Sequence, residues 1–341
     1  MKQRIAVVGT GYMARKHCDV LSSRPDASLR VVCSTKKSGG VAEEFKERYG
    51  FAHAATDYEA VLSDPEVDLV FVCSPDQTHA EYTASALRAG KHVFCEKPLA
   101  RTGAEFRLIR EGLDASGRVL QVGMNCRFRE QYSIPRRMVE AGEFGRLRFL
   151  RGTYIYNAVA SFRSRQKPWA LDYPPGIFPF MHGGGIHCLD LLLWIGGEVG
   201  SVYALARGFD LAEEMRADTF SVSLEFESGA AGELLVSGAA FRPNDFSLEL
   251  WLDGGSIVGT NVFRRDGDGL APAREEIVVR QEVIDLGLQY ADFLRAIESG
   301  APPLNSFQAA YDNFRVLTAI ERSARAGAPV ALGETDEPLR S

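Results

Sequence analysis

Through the first 124 residues, short apolar runs alternate with stretches of helical periodicity, and the runs are apolar on both faces. RIAVV (4–8), LRVVCS (29–34), DLVFVCSP (68–75), KHVFCEKP (91–98) and VLQVGMN (119–125) are rich in β-branched and aromatic residues. Between them, Met13 to Ser22, VAEEFKERY (41–49), HAEYTASALRAG (79–90) and EFRLIREGLDASG (105–117) read as helices, with Gly50 placed to end the second. A strand that is apolar on both faces needs a covering layer on each, which a parallel sheet with crossover helices supplies. This half is therefore expected to be α/β, a doubly wound parallel sheet.

The texture changes after about residue 125. LRFLRGTYIYNA (147–158), GSVYALARGF (200–209), DTFSVSLEFESG (218–229), AAGELLVSGAAF (230–241), SLELWLDGG (247–255) and EEIVVRQEV (275–283) are strand-like, several of them bounded by glycine turns. Phe220, Val222, Leu224 and Phe226 alternate strictly, the mark of an antiparallel sheet with one face exposed or paired with another subunit. One helical segment, 186 to 195, interrupts the strands, and 288 to 326 returns to helices. We expect an N-terminal domain at 1–124 and an α+β C-terminal domain at 125–341 with a large, mostly antiparallel open sheet, whose last helices can pack back on the first domain.

At 341 residues, two domains is also the prior from length. An apolar fraction of 45% and a charged fraction of 25% describe a soluble globular chain. A net charge of −6 with the signs interspersed gives no nucleic-acid footprint. No apolar run approaches the length that crosses a bilayer, and the glycines of MKQRIAVVGTGYMA come too early for a signal peptide. The six cysteines, at 18, 33, 73, 95, 126 and 188, show no CxxC and lie mostly in apolar runs. Reduced, buried thiols and a cytoplasmic location are expected.

Gly9, Gly11 and Ala14 form a GxGxxA directly after the first strand, at the opening of a helix. In a Rossmann turn the first glycine permits the tight bend and the second lets backbone approach a pyrophosphate. The alanine lets helix and strand pack closely. Thr10, Tyr12 and Met13 share the turn, so residues 9 to 13 are candidate cofactor contacts. The second strand usually ends in a carboxylate that binds the ribose of NAD. Here it ends in Ser34 and Thr35, followed by Lys36 and Lys37, a set better suited to a 2′-phosphate. NADP(H) is favoured, with NAD(H) possible. Glu96, Lys97 and Pro98 stand at the carboxyl end of a further strand, where open α/β sheets bind ligands. A lysine there can hold a hydroxyl or carbonyl oxygen and help to remove its proton.

The chain as a whole resembles the Gfo/Idh/MocA oxidoreductases. The resemblance is carried by the GxGxxA with His17 three residues on, VDLVFVCSPDQTH (67–79), GKHVFCEKPLA (90–100), QVGMNCRF (121–128), GEFGRL (142–147) and GGGIHCLDLLLWIGG (183–197). The helical ending from FLRAIESG onward extends it. It implies an NAD(P)-dependent enzyme acting on a secondary alcohol or carbonyl of a sugar, polyol or sugar derivative. It further implies Lys97 beside the nicotinamide, His187 as the acid/base partner, and Ser74, Pro75, Gln77 and His79 along the adenosine side. Glu96 and Lys97 would lie nearer the nicotinamide ribose.

FPFMHGGGIHCLD (178–190) holds two histidines around three glycines. The spacing starts a helix at Ile186, which puts His187 in its first turn, where the helix dipole favours a neutral imidazole. Asp190, one turn on, could orient that ring or a substrate hydroxyl. Relatives often carry an Asp where this chain has Gly183, so His182 is either a substrate ligand or a residue packed in a flexible loop. A zinc site is the weakest reading, because no further ligand stands at suitable spacing. Asn125 and Arg127 at the domain junction, and Trp169 in a long mixed segment with Tyr154, Tyr156, Asn157, Arg163, Arg165 and Lys167, are further substrate candidates. The cations of that segment suit a carboxylate or phosphate on the substrate, as in a uronate or nucleotide sugar, or else belong to a solvated loop. The alternative to an enzyme is a dinucleotide-binding sensor of the same fold. A homodimer or homotetramer built through the exposed sheet is expected.

Overall fold

A computed structural model of the chain describes residues 2–159, 172–211, 213, 216–265, 273–279 and 285–333. Two compact units result, one of Met1–Asn125 with Asp285–Ala310 and the other of Cys126–Ile284 with Tyr311–Glu337.

The first unit alternates β1 (Gln3–Val8), α1 (Tyr12–Leu21), β2 (Ala27–Cys33), α2 (Gly39–Tyr49), β3 (His53–Ala55), α3 (Glu59–Leu62), β4 (Leu69–Val72), α4 (Asp76–Arg88), β5 (His92–Cys95), α5 (Gly103–Ser116) and β6 (Leu120–Val122). The strands lie in the order β3-β2-β1-β4-β5-β6 and every pair is parallel. This is the order of a Rossmann sheet. Ile5, Val7, Leu69, Phe71 and Phe94 are fully enclosed. Phe71 and Phe94 stack at 4.8 Å, and Phe293 of α8 (Leu286–Ser299) meets Phe94 edge-on at 6.1 Å. The late helix α8 thus covers the Rossmann sheet, and its Phe293 and Tyr290 belong to the same core.

The second unit carries α6 (Glu130–Glu140), β7 (Leu147–Ile155), α7 (Ile186–Gly196), β8 (Val199–Arg207), β9 (Thr219–Phe226), β10 (Ala231–Ser237), β11 (Asp245–Leu252), β12 (Gly255–Val258), β13 (Asn261–Arg264), β14 (Ala273–Glu276) and β15 (Val330–Ala331). Most of α9 (Phe307–Ala326) belongs to it too. The strand order is β14-β13-β12-β11-β7-β10-β9-β8-β15. The β7–β10 pair is parallel and the others are antiparallel. In β9 the alternation buries Phe220, Val222, Leu224 and Phe226 and exposes Ser221, Ser223 and Glu225.

Two expectations need correction. The strand expected over 275–283 ends at Glu276, residues 277–279 are not strand, and 280–284 lie outside the described residues. The helix expected from Ile186 begins before it: residues 179–180 are α-helical, 181–185 form a π-helical turn, and the chain runs on into α7 without a break. His187 is therefore inside a helix rather than in its first turn, and the argument from the dipole of a helix start does not apply to it.

The turn after β1 depends on Gly9. Its φ is +109°, and a Cβ there would lie 2.4 Å from the Cys73 carbonyl oxygen at the end of β4. Gly11 differs: φ is −78°, and a Cβ would meet nothing within 4 Å. Gly9→Ala is expected to lower the unfolding free energy in urea by about 1–3 kcal/mol or more. Gly11→Ala should leave it within about 0.5 kcal/mol.

Candidate active site

In the first unit the turns after β1, β2, β4 and β5 lie side by side, because those strands are neighbours. Backbone bonds lace their carboxyl ends: Gly9 N–H donates to Cys33 O, Cys73 N–H to Val8 O and Glu96 N–H to Val72 O, at 2.8 to 2.9 Å. Helices α1 and α4 open on this edge with Gly11 and Pro75 as N-caps, and neither has a side-chain cap. By contrast, Thr102 caps α5 and Asp285 caps α8. Uncapped first-turn N–H groups suit an anion. Nothing in the protein's own packing or backbone requires glycine at position 11, so the space its Cβ would fill suits an approaching phosphate. The residues present fit a dinucleotide.

Around that edge Thr10 and Met13 are half-buried and Tyr12 is exposed. Past β2, Ser34 Oγ donates to Ser38 O at 2.9 Å, and Thr35 Oγ1 shares a 2.8 Å bond with Ser38 Oγ. Lys36 and Lys37 stand exposed on the short 3-10 turn between. Past β4, Ser74 Oγ and Thr78 Oγ1 are 2.6 Å apart and Pro75 and Gln77 lead into α4. Past β5, Lys97 is half-buried and the Lys97–Pro98 peptide is cis.

Two residues expected to touch cofactor are turned inward instead. Glu96 is buried, and its Oε1 pairs at 2.8 Å with Nε2 of His17, itself enclosed by Phe71 and Phe94. His79 is 1% exposed, and its two ring nitrogens face the carbonyl oxygens of Pro98 and Ser74 at 2.7 and 2.8 Å. Neither side chain presents itself to a ligand.

In the second unit the π-helical turn explains the glycines. A Cβ on Gly184 would lie 2.8 Å from the Tyr154 ring, and one on Gly185 would lie 2.7 Å from Met181 Sδ and 3.2 Å from Val236. Close packing on β7 and β10 excludes larger residues. At Gly183 a Cβ would meet nothing within 4 Å, so the packing of the turn does not itself require glycine there. His182 is not in a flexible loop and is not placed as a substrate ligand. It is buried, with Nε2 3.0 Å from Oε1 of Glu321 on α9, and the same oxygen accepts the Phe178 N–H at 3.1 Å.

Asp190 is fully buried. Its Oδ2 accepts from Arg127 Nε at 2.8 Å, and its Oδ1 accepts from Arg127 Nη2 at 2.6 Å and Asn313 Nδ2 at 2.7 Å. The guanidinium lies 5.6 Å from the Trp194 ring centre. This corrects two expectations: Asp190 orients Arg127 rather than the His187 ring, and Arg127 is spent on Asp190 rather than on substrate. His187 is half-buried, and its Nδ1 lies 3.8 Å from the Cys126 Sγ. Asn125 is buried in the short 3-10 turn 125–128. Tyr154 is largely buried, and burial pushes its phenol up to about 12, so it remains a neutral hydroxyl. Trp169, with Arg163, Arg165 and Lys167, lies outside the described residues.

Sequence reasoning missed Cys126, Asn313 and Glu321 as parts of this arrangement. All three partnerships are long-range, and no local spacing signals them. Burial also pushes the thiols of Cys18 and Cys33 up to about 12 and about 11, which removes them as nucleophiles. Among the described residues no group of three His, Cys, Asp or Glu side chains converges as a metal site would require.

Sheet order, glycine turn and helix 179–196 together describe a nicotinamide-dependent oxidoreductase of the Gfo/Idh/MocA type. The chain belongs to that family: the profile described as "Oxidoreductase family, NAD-binding Rossmann fold" matches residues 3–124, and that of the GFO/IDH/MocA C-terminal domain matches residues 134–258. It is 31% identical over 313 residues to myo-inositol 2-dehydrogenase of Thermotoga maritima, covering 88% of this chain and 90% of that one. It is 28% identical to scyllo-inositol 2-dehydrogenase (NAD(+)) of Bacillus subtilis strain 168, covering 96% of each. Among solved structures, levoglucosan dehydrogenase in complex with NADH and L-sorbose superposes with a TM-score of 0.86 at 23% identity, over 98% of this chain and all of that one.

Removing the Asp190 carboxylate would leave a guanidinium buried and uncompensated. Asp190→Ala is expected to cost about 3–5 kcal/mol in a urea unfolding experiment. A stable Asp190→Ala protein with only a raised KM for substrate would return the residue to the substrate pocket.

Proposed function

We propose that this protein oxidises a secondary alcohol of a sugar or polyol, or reduces the matching ketone, with a nicotinamide dinucleotide. The observation that carries the reading is the near end-to-end match to inositol dehydrogenases, together with the state of the polar residues in both units. Glu96, His79, His182, Arg127 and Asp190 are buried in partnerships, whereas Lys97 and His187 keep part of their surface exposed. That partial exposure supports reading Lys97 and His187 as the groups that meet the substrate.

A bound nicotinamide would supply the hydride acceptor for the carbinol carbon. The backbone N–H groups at the start of α1 would hold its diphosphate. The Lys97 ammonium donates to the substrate oxygen and fixes its orientation, and His187 removes the hydroxyl proton. In the reduction His187 returns that proton to the oxygen while Lys97 holds it. The exposed Lys36–Lys37 pair, with no carboxylate at the end of β2, supports NADP(H) over NAD(H). A neutral sugar or inositol is the reading that the relatives support. A uronate or nucleotide sugar rested on cations outside the described residues. The sensor reading rests on Gly183 alone and has less support.

All six cysteines are free and buried, which fits a reducing compartment such as the cytoplasm. Among the described residues, no helix is long and apolar enough to cross a membrane. The open sheet leaves Tyr203, Leu205, Trp251 and Val258 exposed at 37% to 43%, and such a face supports a homodimer or homotetramer. Light scattering on the purified protein should give the mass of at least two chains; a monomer at micromolar concentration would refute this.

A panel of inositols, sugars and uronates with NAD and NADP, followed at the absorbance of the reduced nicotinamide, tests the function. Turnover is expected on at least one polyol or sugar, with the higher kcat/KM for NADP. Lys97→Ala and His187→Ala should each lower kcat by about two orders of magnitude or more. Cofactor binding without turnover on any member would favour the sensor, and a wild-type rate in His187→Ala would remove that residue from the chemistry.

A further inference from the structure

His79 carries an arrangement that the dehydrogenase chemistry leaves unused. Its ring is enclosed, Nδ1 lies 2.7 Å from the Pro98 carbonyl oxygen, and Nε2 lies 2.8 Å from the Ser74 carbonyl oxygen. A carbonyl oxygen only accepts. Both bonds therefore require a hydrogen on each ring nitrogen, and a neutral imidazole carries only one. A neutral ring would set a bare nitrogen lone pair against an oxygen lone pair in a buried position, with a hydrogen bond lost as well.

We infer that His79 is an imidazolium at neutral pH and acts as a positioning residue, a charged staple that fixes the turn after β4 to the turn after β5. Those turns carry Ser74, Pro75 and Gln77 on one side and Lys97 on the other, so the inference rests on the reading of this edge as the dinucleotide site. The surroundings support the charge. Burial opposes it. Cys95 from the end of β5, Asp76 three residues earlier on α4, and the Pro98 carbonyl outweigh burial and raise the ring's pKa to about 10. A cation in the first turns of a helix also opposes the helix dipole, and the buried Asp76 on the same side offsets that. The folded ring holds its proton to about pH 10, and an unfolded histidine releases it near 6.5. The staple's stabilisation is thus complete below about pH 6.5 and is lost as pH rises through about 10.

The test is long-range 1H–15N correlation on the cofactor-free wild-type protein with 15N-labelled histidine, His79 being assigned through bonds to its backbone. Both His79 ring nitrogens are expected to show imidazolium shifts at pH 8. One bare nitrogen at that pH would overturn the inference. His79→Gln, which offers one donor nitrogen in place of two, should weaken binding of NADPH about tenfold by fluorescence titration at pH 8, or of NADH if the wild-type protein binds that more tightly. A folded variant that binds the same cofactor as wild type does would end the positioning role, and if the variant does not fold, the wild-type ring shifts decide. Neither readout uses sugar turnover, so failure of the dehydrogenase reading would appear separately, in the substrate panel.

Discussion

A carboxylate at the apolar carboxyl edge of a parallel sheet is held only where a donor is fixed against it. Here that donor is His17, whose Nε2 meets Glu96 Oε1 in a ring-walled pocket between α1 and the end of β5. The pair joins the glycine turn to the lysine turn, so the two ends of the expected cofactor site move as one body. Neighbouring residues follow from it. Gly123 at the end of β6 has no side chain because a Cβ would lie 2.9 Å from the Glu96 carboxyl atoms. Breaking such a pair by removing one partner costs about 3–5 kcal/mol, a large part of a domain's stability. Much of what makes this edge recognisable in sequence is thus the support of the site rather than its contact surface.

That distinction runs through the molecule. Several of the charged and imidazole side chains singled out beside Lys97 and His187 are enclosed and paired: Asp190 with Arg127 and Asn313, His182 through Nε2 with Glu321, His79 with two carbonyls. Each engagement desolvates a polar group, and the expense is offset by near-ideal partners at 2.6 to 3.0 Å. Surroundings over-determined in this way can leave one partly exposed group in each unit without its drifting. The rigidity is local to each unit, and in each it converges on one half-buried group.

Legibility in the sequence followed the range of the interaction. Alternating strands and helices, the glycine turn and the lysine after β5 depend on spacing within a few residues, and five of the six strands of the first sheet were legible from it. Short elements escaped: β3 has three residues, β12 and β13 four each, and α6 carries Pro135 inside a charged run that hides its period. The π-helical turn escaped for another reason. Three glycines read as a flexible loop, because the contacts that make a helix possible there, with Tyr154, Met181 and Val236, come mostly from strands far along the chain. Roles were harder still. Nothing near position 190 announces Arg127 or Asn313, so a buried ion pair was read as a ligand contact.

The same reasoning bears on His187. An acid/base histidine is usually oriented by a carboxylate or carbonyl on its second nitrogen, which commits the ring to one tautomer. This chain has glycine at position 183 and presents the Cys126 thiol to Nδ1 at 3.8 Å. Sulfur is a weak donor and a weak acceptor, so that contact favours neither tautomer strongly. A Cβ at Gly183 would meet nothing within 4 Å, so glycine at this position is not imposed by packing, unlike Gly184 and Gly185 beside it.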